Sequence, residues 1–282
     1  MGLVLSGGSA RGMAHLGVLN VLEEHGVPID LIVGASFGSM AGGYYTRGYS
    51  IPELHRMMKR FRIRDVLDLS RPWFRILSAE KAGVILRRDL DDISIEELKI
   101  PLYILAADIC SGEMVVFDRG NLVDAMLASS AFPGLFEPFV YGERLLIDGG
   151  ILNRMMVNIA RERGADLVIY SDVSAFTTLN RKRWARKLYA GIIHHVKKKR
   201  EKLDQKLTRI NLRYVIFRAL CIILDHWQQH ELFKKYPPDY TIVSRVGDIR
   251  PLQFNRMEEV YRLGREAALE KVDAIREEVL GT

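Results

Sequence analysis

Residues 34–38 read Gly34-Ala35-Ser36-Phe37-Gly38, between the apolar run Leu31-Ile32-Val33 and the small-residue stretch Ser39-Met40-Ala41-Gly42-Gly43. A G-x-S-x-G pattern suits a nucleophile. The glycines let a strand and a helix approach closely, and the serine takes a strained backbone conformation that lifts its hydroxyl above the sheet edge. The chemistry would be acyl transfer through a serine ester. Gly and Ser are common, so the pattern alone is weak, and a plain strand-to-helix turn competes with it. The apolar run before the serine and the small residues after it favour the nucleophile.

A second loop, Leu5-Ser6-Gly7-Gly8-Ser9-Ala10-Arg11-Gly12, also follows an apolar run and opens a helical pattern. Amides at a helix N-terminus collect partial positive charge and suit an anion. A dinucleotide fingerprint would need glycine where Ser9 stands, and a P-loop would need Lys where Met13 follows Gly12. Neither nucleotide reading holds. An oxyanion hole fits better beside a nucleophile on the next strand. Arg11 is expected to brace the loop rather than face an anionic head group.

A nucleophilic serine needs a base. The histidines are His15, His25, His55, His194, His195, His226 and His230. None follows a strand end late in the chain, where a triad on an α/β sheet would place it, so each reads as a packing or surface residue. Asp108, Asp148 and Asp172 each close an apolar run. Asp148 precedes Gly149-Gly150, a turn that admits close backbone approach, although an Asx turn would read the same way. Spacing alone does not choose among the three.

The elements that must hold these residues follow from hydropathy. Strands are expected at 2–6, 29–33, 101–108, 113–117, 144–147, 166–172 and 240–245, and helices at 11–25, 37–47, 52–60, 121–130, 155–163 and 254–279. Several strands are continuously apolar, as in a mostly parallel sheet covered on both faces. The alternation predicts an α/β fold with right-handed crossovers. Gly26, Gly48 and Gly164 are placed to close three of the helices. The chain is read as a single domain, 1–282, with 180–235 as a helical extension or insertion. In that arm Leu203, Leu207, Ile210, Tyr214, Phe217, Cys221 and Leu224 recur at spacings of 4 and 3.

The 282 residues are 48% hydrophobic, enough for a sizeable core and against disorder. Charge is uneven. Between Arg181 and Arg218 fourteen Lys or Arg stand against Glu201 and Asp204, while the rest of the chain is net acidic. A basic arm on an acidic body suggests an anionic membrane surface, with a solvated helix face as the plain alternative. The apolar helix 203–227 could instead carry a homodimer contact. Cys110 and Cys221 are isolated, which fits a reducing, cytoplasmic setting and no metal site. Met1-Gly2 through Ser6 matches a myristoylation signal but reads better as the first core strand. No apolar run is long enough to span a bilayer, so at most a peripheral membrane association is expected. No nucleic-acid partner is indicated.

Five segments resemble the patatin-like phospholipase family in order and spacing. They are LSGGSARGMAHLGVLNVLEEHGVPID, GASFGSMAGG, LAADICSGEMVVF, ASSAFPGLFEP and LLIDGGILN, within about residues 2 to 173, and PLQF with the last helix resembles the family's C-terminal end. The resemblance implies a three-layer α/β/α fold and a cofactor-free lipid acyl hydrolase. It implies Ser36 as nucleophile, Asp148 as base, and an oxyanion hole from Gly7, Gly8 and Ser9 with Ala10 and Arg11 close by. Gly34 and Gly38 would form the nucleophile elbow, and Gly149 and Gly150 the base turn. The substrate implied is a phospholipid or other lipid ester. A short-chain esterase, a thioesterase, an acyltransferase or a non-catalytic lipid-binding scaffold could use the same frame. Two departures stand out. Ser9 replaces a usual glycine, and positive φ there would cost roughly 1–2 kcal/mol. Asn153-Arg154 stands where the family tends to have Asn-Pro.

Overall fold

The computed structural model describes residues 1–68, 77–173 and 234–281. Eight strands form one sheet: β1 (Gly2–Leu5), β2 (Leu31–Gly34), β3 (Leu102–Asp108), β4 (Met114–Phe117), β5 (Phe139–Tyr141), β6 (Arg144–Asp148), β7 (Val168–Asp172) and β8 (Tyr240–Val243). The helices are α1 (Met13–Glu24), α2 (Phe37–Arg47), α3 (Ile51–Arg60), α4 (Ala79–Leu90), α5 (Leu122–Ser130), α6 (Val157–Glu162), α7 (Met257–Leu269) and α8 (Val272–Leu280). The hydrogen-bonded succession is β5-β6-β3-β2-β1-β7-β8, with β4 also paired to β3. Pairing is parallel from β3 through β2, β1 and β7 to β8, and antiparallel among β3, β4, β5 and β6.

The continuously apolar strands are buried on both faces because their residues alternate between two cores. Leu3, Leu5, Ile32 and Ile104 pack with residues of α1, α2 and α5. Val4, Val33, Leu105 and Tyr170 point the other way and pack with Val157, Ile159 and Ala160 of α6. Helices therefore cover both faces of a mostly parallel sheet, the expected three-layer α/β architecture. On the first face, α7 lies across α1. Tyr261 bonds Asn20, and the Arg265 guanidinium pairs with both Glu24 oxygens at 2.9 Å.

The pairing on β3 decides where the site forms. Ile104 is paired with Gly34 on one side and Phe117 on the other, and Ala106 with Asp148 and Val115. A strand has two edges, so β4 holds one and β2 and β6 share the other. β2 runs parallel to β3 and β6 antiparallel. Their C-terminal ends therefore meet head-on, two residues apart along β3, or about 7 Å.

Some boundaries differ from the sequence pattern. α4 lies outside the predicted helices, because Gly83 and two adjacent arginines interrupt its short stripe of Ala82, Leu86 and Leu90. Its N-cap is clear in the structure, where Ser78 Oγ accepts from the Lys81 amide at 3.2 Å. β5 is three residues long and is defined only by its hairpin with β6. The expected helix 254–279 is two helices. Lys271 donates to Ala268 in a tighter turn and leaves helical φ at −127°, which turns Val272 and Ile275 into the core. Gly26, Gly48 and Gly164 do follow α1, α2 and α6 with left-handed φ. The basic stretch 181–218 and the apolar helix 203–227 lie outside the described residues, with the membrane and dimer contacts expected of them. No described helix is long and apolar enough to cross a membrane.

Candidate active site

Ser36 sits on the turn between β2 and α2, with φ 54° and ψ −127°. A residue with a Cβ is held in such backbone only by its surroundings, at a cost of about 1–3 kcal/mol. Packing supplies part of the hold. A Cβ on Gly38 would lie 2.1 Å from the Leu5 carbonyl oxygen, and one on Gly34 2.8 Å from Gly38, so only glycines permit this approach of helix to strand. Hydrogen bonds supply the rest. The Ser36 amide donates to Ser129 Oγ at 2.9 Å, and that hydroxyl donates to the Leu105 carbonyl at 2.6 Å. On the helix side, Ser39 Oγ donates to the Ser36 carbonyl at 2.6 Å. Ser129, fully buried at the end of α5, thus ties the elbow to β3. Sequence reading passed over Ser129; the ASSAFPGLFEP segment was the only signal, and it did not say which serine mattered.

Asp148 ends β6 opposite Ala106. Its amide donates to the Ala131 carbonyl at 3.2 Å. Its carboxylate accepts the Gly150 amide at 2.9 Å, so the Asx-type turn is present, and the Ser36 hydroxyl lies near enough to favour its ionised form. A Cβ on Gly149 would fall 2.4 Å from Leu105 backbone atoms, so the turn folds flat against β3 only with glycine there. The side chain is buried. Burial raises its pKa to about 6, against the opposing pull of the Gly150 amide, the Ser36 hydroxyl and the Arg154 charge. Desolvation has made this carboxylate a better proton acceptor than a surface one while leaving it ionised at neutral pH.

The structure separates the other carboxylates from Ser36. The carboxyl of Asp108 binds the Cys110 amide at 3.0 Å, which with Ser111 holds its pKa below the usual range, as a turn residue. Asp172 is buried at the end of β7, near enough to His15 to act on its charge. Among the described histidines none serves Ser36. His15 is fully buried, with Nε2 2.8 Å from the Ser6 carbonyl and Nδ1 2.8 Å from Ser171 Oγ. Burial drops its pKa to about 4, so it is neutral and joins the ends of β1 and β7 just below the glycine loop. His25 bonds the Val21 carbonyl at the end of α1, and His55 stacks on Tyr261 beside Glu258.

The glycine loop packs directly on the elbow: a Cβ on Gly7 would be 3.3 Å from the Ser36 Cβ. Residues Ser9–Gly12 make a tight turn into α1. The Ala10 amide is committed to the Pro251 carbonyl at 3.0 Å, and the Arg11 amide to the Gly8 carbonyl at 3.2 Å. Among the described residues no acceptor takes the amides of Gly7, Gly8 or Ser9. The candidate anion donors therefore narrow to those three. Ser9 has φ 51°, the strained conformation that glycine would adopt freely.

Ser36, Asp148 and this loop line a cavity of about 230 Å³. The rest of its lining is largely apolar, with Met40 from α2, Phe61 and Ile63 after α3, Leu86 from α4, and Phe132 and Phe136 after α5. Tyr44 presents its ring there, because its hydroxyl bonds Asp89 at 3.1 Å. Among the described residues no group of three or more His, Cys, Asp or Glu side chains is placed to hold a metal ion. The arrangement suits attack on a carbonyl attached to a long apolar group.

The chain is 29% identical over 273 residues to lysophospholipase NTE1 of Debaryomyces hansenii, covering 94% of this chain and 17% of that protein. It is 35% identical over 181 residues to human patatin-like phospholipase domain-containing protein 6, covering 61% of this chain and 13% of that protein. The chain therefore spans less than a fifth of the length of these relatives. The crystal structure of VipD from Legionella pneumophila shares the fold, with a TM-score of 0.60 at 17% identity over 97% of this chain and 66% of that one. The model of the patatin-like phospholipase family matches residues 3–161, more than half of the sequence, and the chain belongs to that family.

Proposed function

We propose that this chain hydrolyses a carboxylic ester of a phospholipid or lysophospholipid, with Ser36 as nucleophile and Asp148 as its base. The observation that carries the reading is a serine, strained on its elbow, whose hydroxyl lies near enough to act on a buried carboxylate that lines the same largely apolar cavity. The naming of its relatives as lysophospholipases supports the same substrate class. Asp148 takes the Ser36 proton as Oγ attacks the ester carbonyl. The amides of Gly7, Gly8 and Ser9 receive the oxyanion, each donor being worth about 3–4 kcal/mol in such a hole. Protonated Asp148 returns its proton to the departing alkoxide, leaving an acyl group on Ser36. Asp148 then deprotonates a water that attacks the acyl carbonyl, and the fatty acid leaves as Ser36 regains its proton. Apolar side chains hold the acyl chain throughout.

The test is a panel of lipid esters of graded chain length with wild type, Ser36→Ala and Asp148→Asn, alongside fluorophosphonate labelling. Wild type is expected to be labelled and to cleave long acyl esters; both variants are expected to be inactive yet folded. Full hydrolysis by either variant would sink the dyad. A preference for short esters would favour a general esterase instead.

A further inference from the structure

The hydrolase mechanism leaves His15 without a part, yet its ring is built against the loop that would receive the oxyanion. The side chain is fully buried on the first turn of α1, with Nε2 2.8 Å from the Ser6 carbonyl oxygen and Nδ1 2.8 Å from Ser171 Oγ. A carbonyl only accepts, so Nε2 carries the ring's proton. Burial drops the pKa to about 4 and keeps the ring neutral at pH 7, so Nδ1 accepts the Ser171 hydroxyl. Ser6 is held at three atoms. Its amide donates to the Ser171 carbonyl at 3.2 Å, its Oγ accepts the Val173 amide at 3.0 Å, and its carbonyl takes the His15 proton. That carbonyl shares one peptide unit with the Gly7 amide. The unit is trans, so the two groups point in opposite directions. The carbonyl turns to the β7 side of β1, where Ser171 and His15 meet. The amide turns to the β2 side, where Gly7 lies against Ser36. No acceptor among the described residues takes that amide.

We propose that His15 is a positioning residue for the oxyanion hole, acting on the Gly7 amide through the Ser6 carbonyl. The bond fixes the peptide plane, so the amide faces the developing oxyanion without reorganising during attack. It also draws electron density toward the Ser6 oxygen and leaves the Gly7 N–H a stronger donor, as hydrogen bonds in a chain polarise one another. The chain runs from the Ser171 hydroxyl to the imidazole, to the Ser6–Gly7 peptide and to the oxyanion, each group donating to the next. A change at His15 therefore acts on the transition state and spares ground-state binding of the ester. This inference rests on the hydrolase reading above, and it gives the histidine a role other than that of a base.

The experiment sets His15→Gln beside His15→Asn on one soluble acyl ester. Both variants replace the ring by an amide. The glutamine amide reaches the Nε2 position and still donates to the Ser6 carbonyl. The shorter asparagine amide reaches only the Nδ1 position and keeps the Ser171 bond instead. His15→Asn should lower kcat about 10- to 100-fold, below the roughly 100- to 1000-fold of deleting an oxyanion donor, with KM within about 3-fold. His15→Gln should keep kcat within about 3-fold of wild type. A kcat that falls equally in both, or follows their melting temperatures, makes His15 a link between strands only and overturns the assignment. A second readout needs no turnover. Ser36 Oγ adds to the carbonyl of a hexyl trifluoromethyl ketone, and fluorine NMR against pH reads the pKa of the hemiketal. That pKa should rise by about one to two units in His15→Asn, the same 10- to 100-fold, and stay in place in His15→Gln; an unchanged value in both refutes the inference. Should neither variant fold, NMR of the wild-type imidazole nitrogens decides: a proton on Nε2 supports the assignment, and a proton on Nδ1 removes the donor from Ser6 and overturns it. Wild type that cleaves no ester and forms no hemiketal overturns the hydrolase reading and this one with it. Active wild type with insensitive His15 variants overturns this one alone.

Discussion

Replacing Asp148 by Asn should abolish hydrolysis and, at neutral pH, make the protein more stable. Burial raises the Asp148 pKa from 3.8 to about 6. Each pKa unit is 1.36 kcal/mol, so keeping this carboxylate ionised in the folded protein costs about 3 kcal/mol relative to the unfolded chain. The cost is complete above pH 6, where the group is ionised in both states. It disappears as pH falls from about 6 toward 3.8, because the folded protein then takes up a proton that the unfolded chain does not. Asparagine is neutral throughout and keeps an oxygen for the Gly150 amide that Oδ1 now accepts at 2.9 Å. Part of the gain is returned with the Ser36 interaction, leaving about 1–3 kcal/mol, or ~2–5 °C in Tm for a chain of this size. Thermal melts of wild type and Asp148→Asn at pH 8 and pH 4.5 measure it: a clear gap at pH 8, little at pH 4.5. The same pKa sets the acid limb of wild-type kcat/KM near pH 6. A limb near pH 4, with no stability gap at pH 8, would refute the claim that desolvation tunes this carboxylate.

Two further substitutions test the frame around Ser36. Ser129→Ala leaves the Ser36 amide and the Leu105 carbonyl without their shared partner, so it should cost about 1–3 kcal/mol of stability. It should also lower kcat more than 10-fold with little change in KM, and single-turnover acylation would show whether attack itself has slowed; an unchanged kcat would remove Ser129 from any positioning role. Ser9→Gly relieves a positive φ worth roughly 1–2 kcal/mol and forfeits about 0.4–1 kcal/mol through greater unfolded-state freedom. Denaturant melts should therefore show a gain of up to ~1 kcal/mol with activity retained, and a loss would mean that Ser9 makes a stabilising contact.

Local chemistry is what a sequence shows well, and the elbow is local. The strand, the G-x-S-x-G turn and the small-residue helix sit within 13 consecutive residues, and each constrains the next. Asp148 was legible only as one of three strand-ending aspartates. The choice depends on register: Ala106 must pair with Asp148 for β6 to end against β2, and no pattern in residues 144–150 encodes that partner. The family resemblance pointed to Asp148 before any geometry did. Ser129 was hidden for a related reason. Its spacing marks it as one more small residue on a helix, and its significance comes from two backbone groups, 93 and 24 positions away, that meet only in the folded chain. α4 and β5 were missed because a short stripe broken by Gly83 and a three-residue strand carry too little periodicity to register.

On the proposed dyad, the same dependence on assembly accounts for a serine used without a histidine. β3 carries β2 and β6 on one edge, pointing at each other, so the ends of two strands share a gap of about two residues. Such a gap brings the Ser36 elbow and the Asp148 turn together, near enough for the hydroxyl to act on the carboxylate. Burial at this meeting point also raises the carboxylate's pKa to about 6, close to the range in which a histidine would serve as base. Geometry and proton affinity thus have one origin, the pairing of β3. A change that loosens β6 from β3 is therefore expected to lengthen the Ser36–Asp148 contact and lower the acid limb together, whereas a change confined to the acyl pocket should move neither.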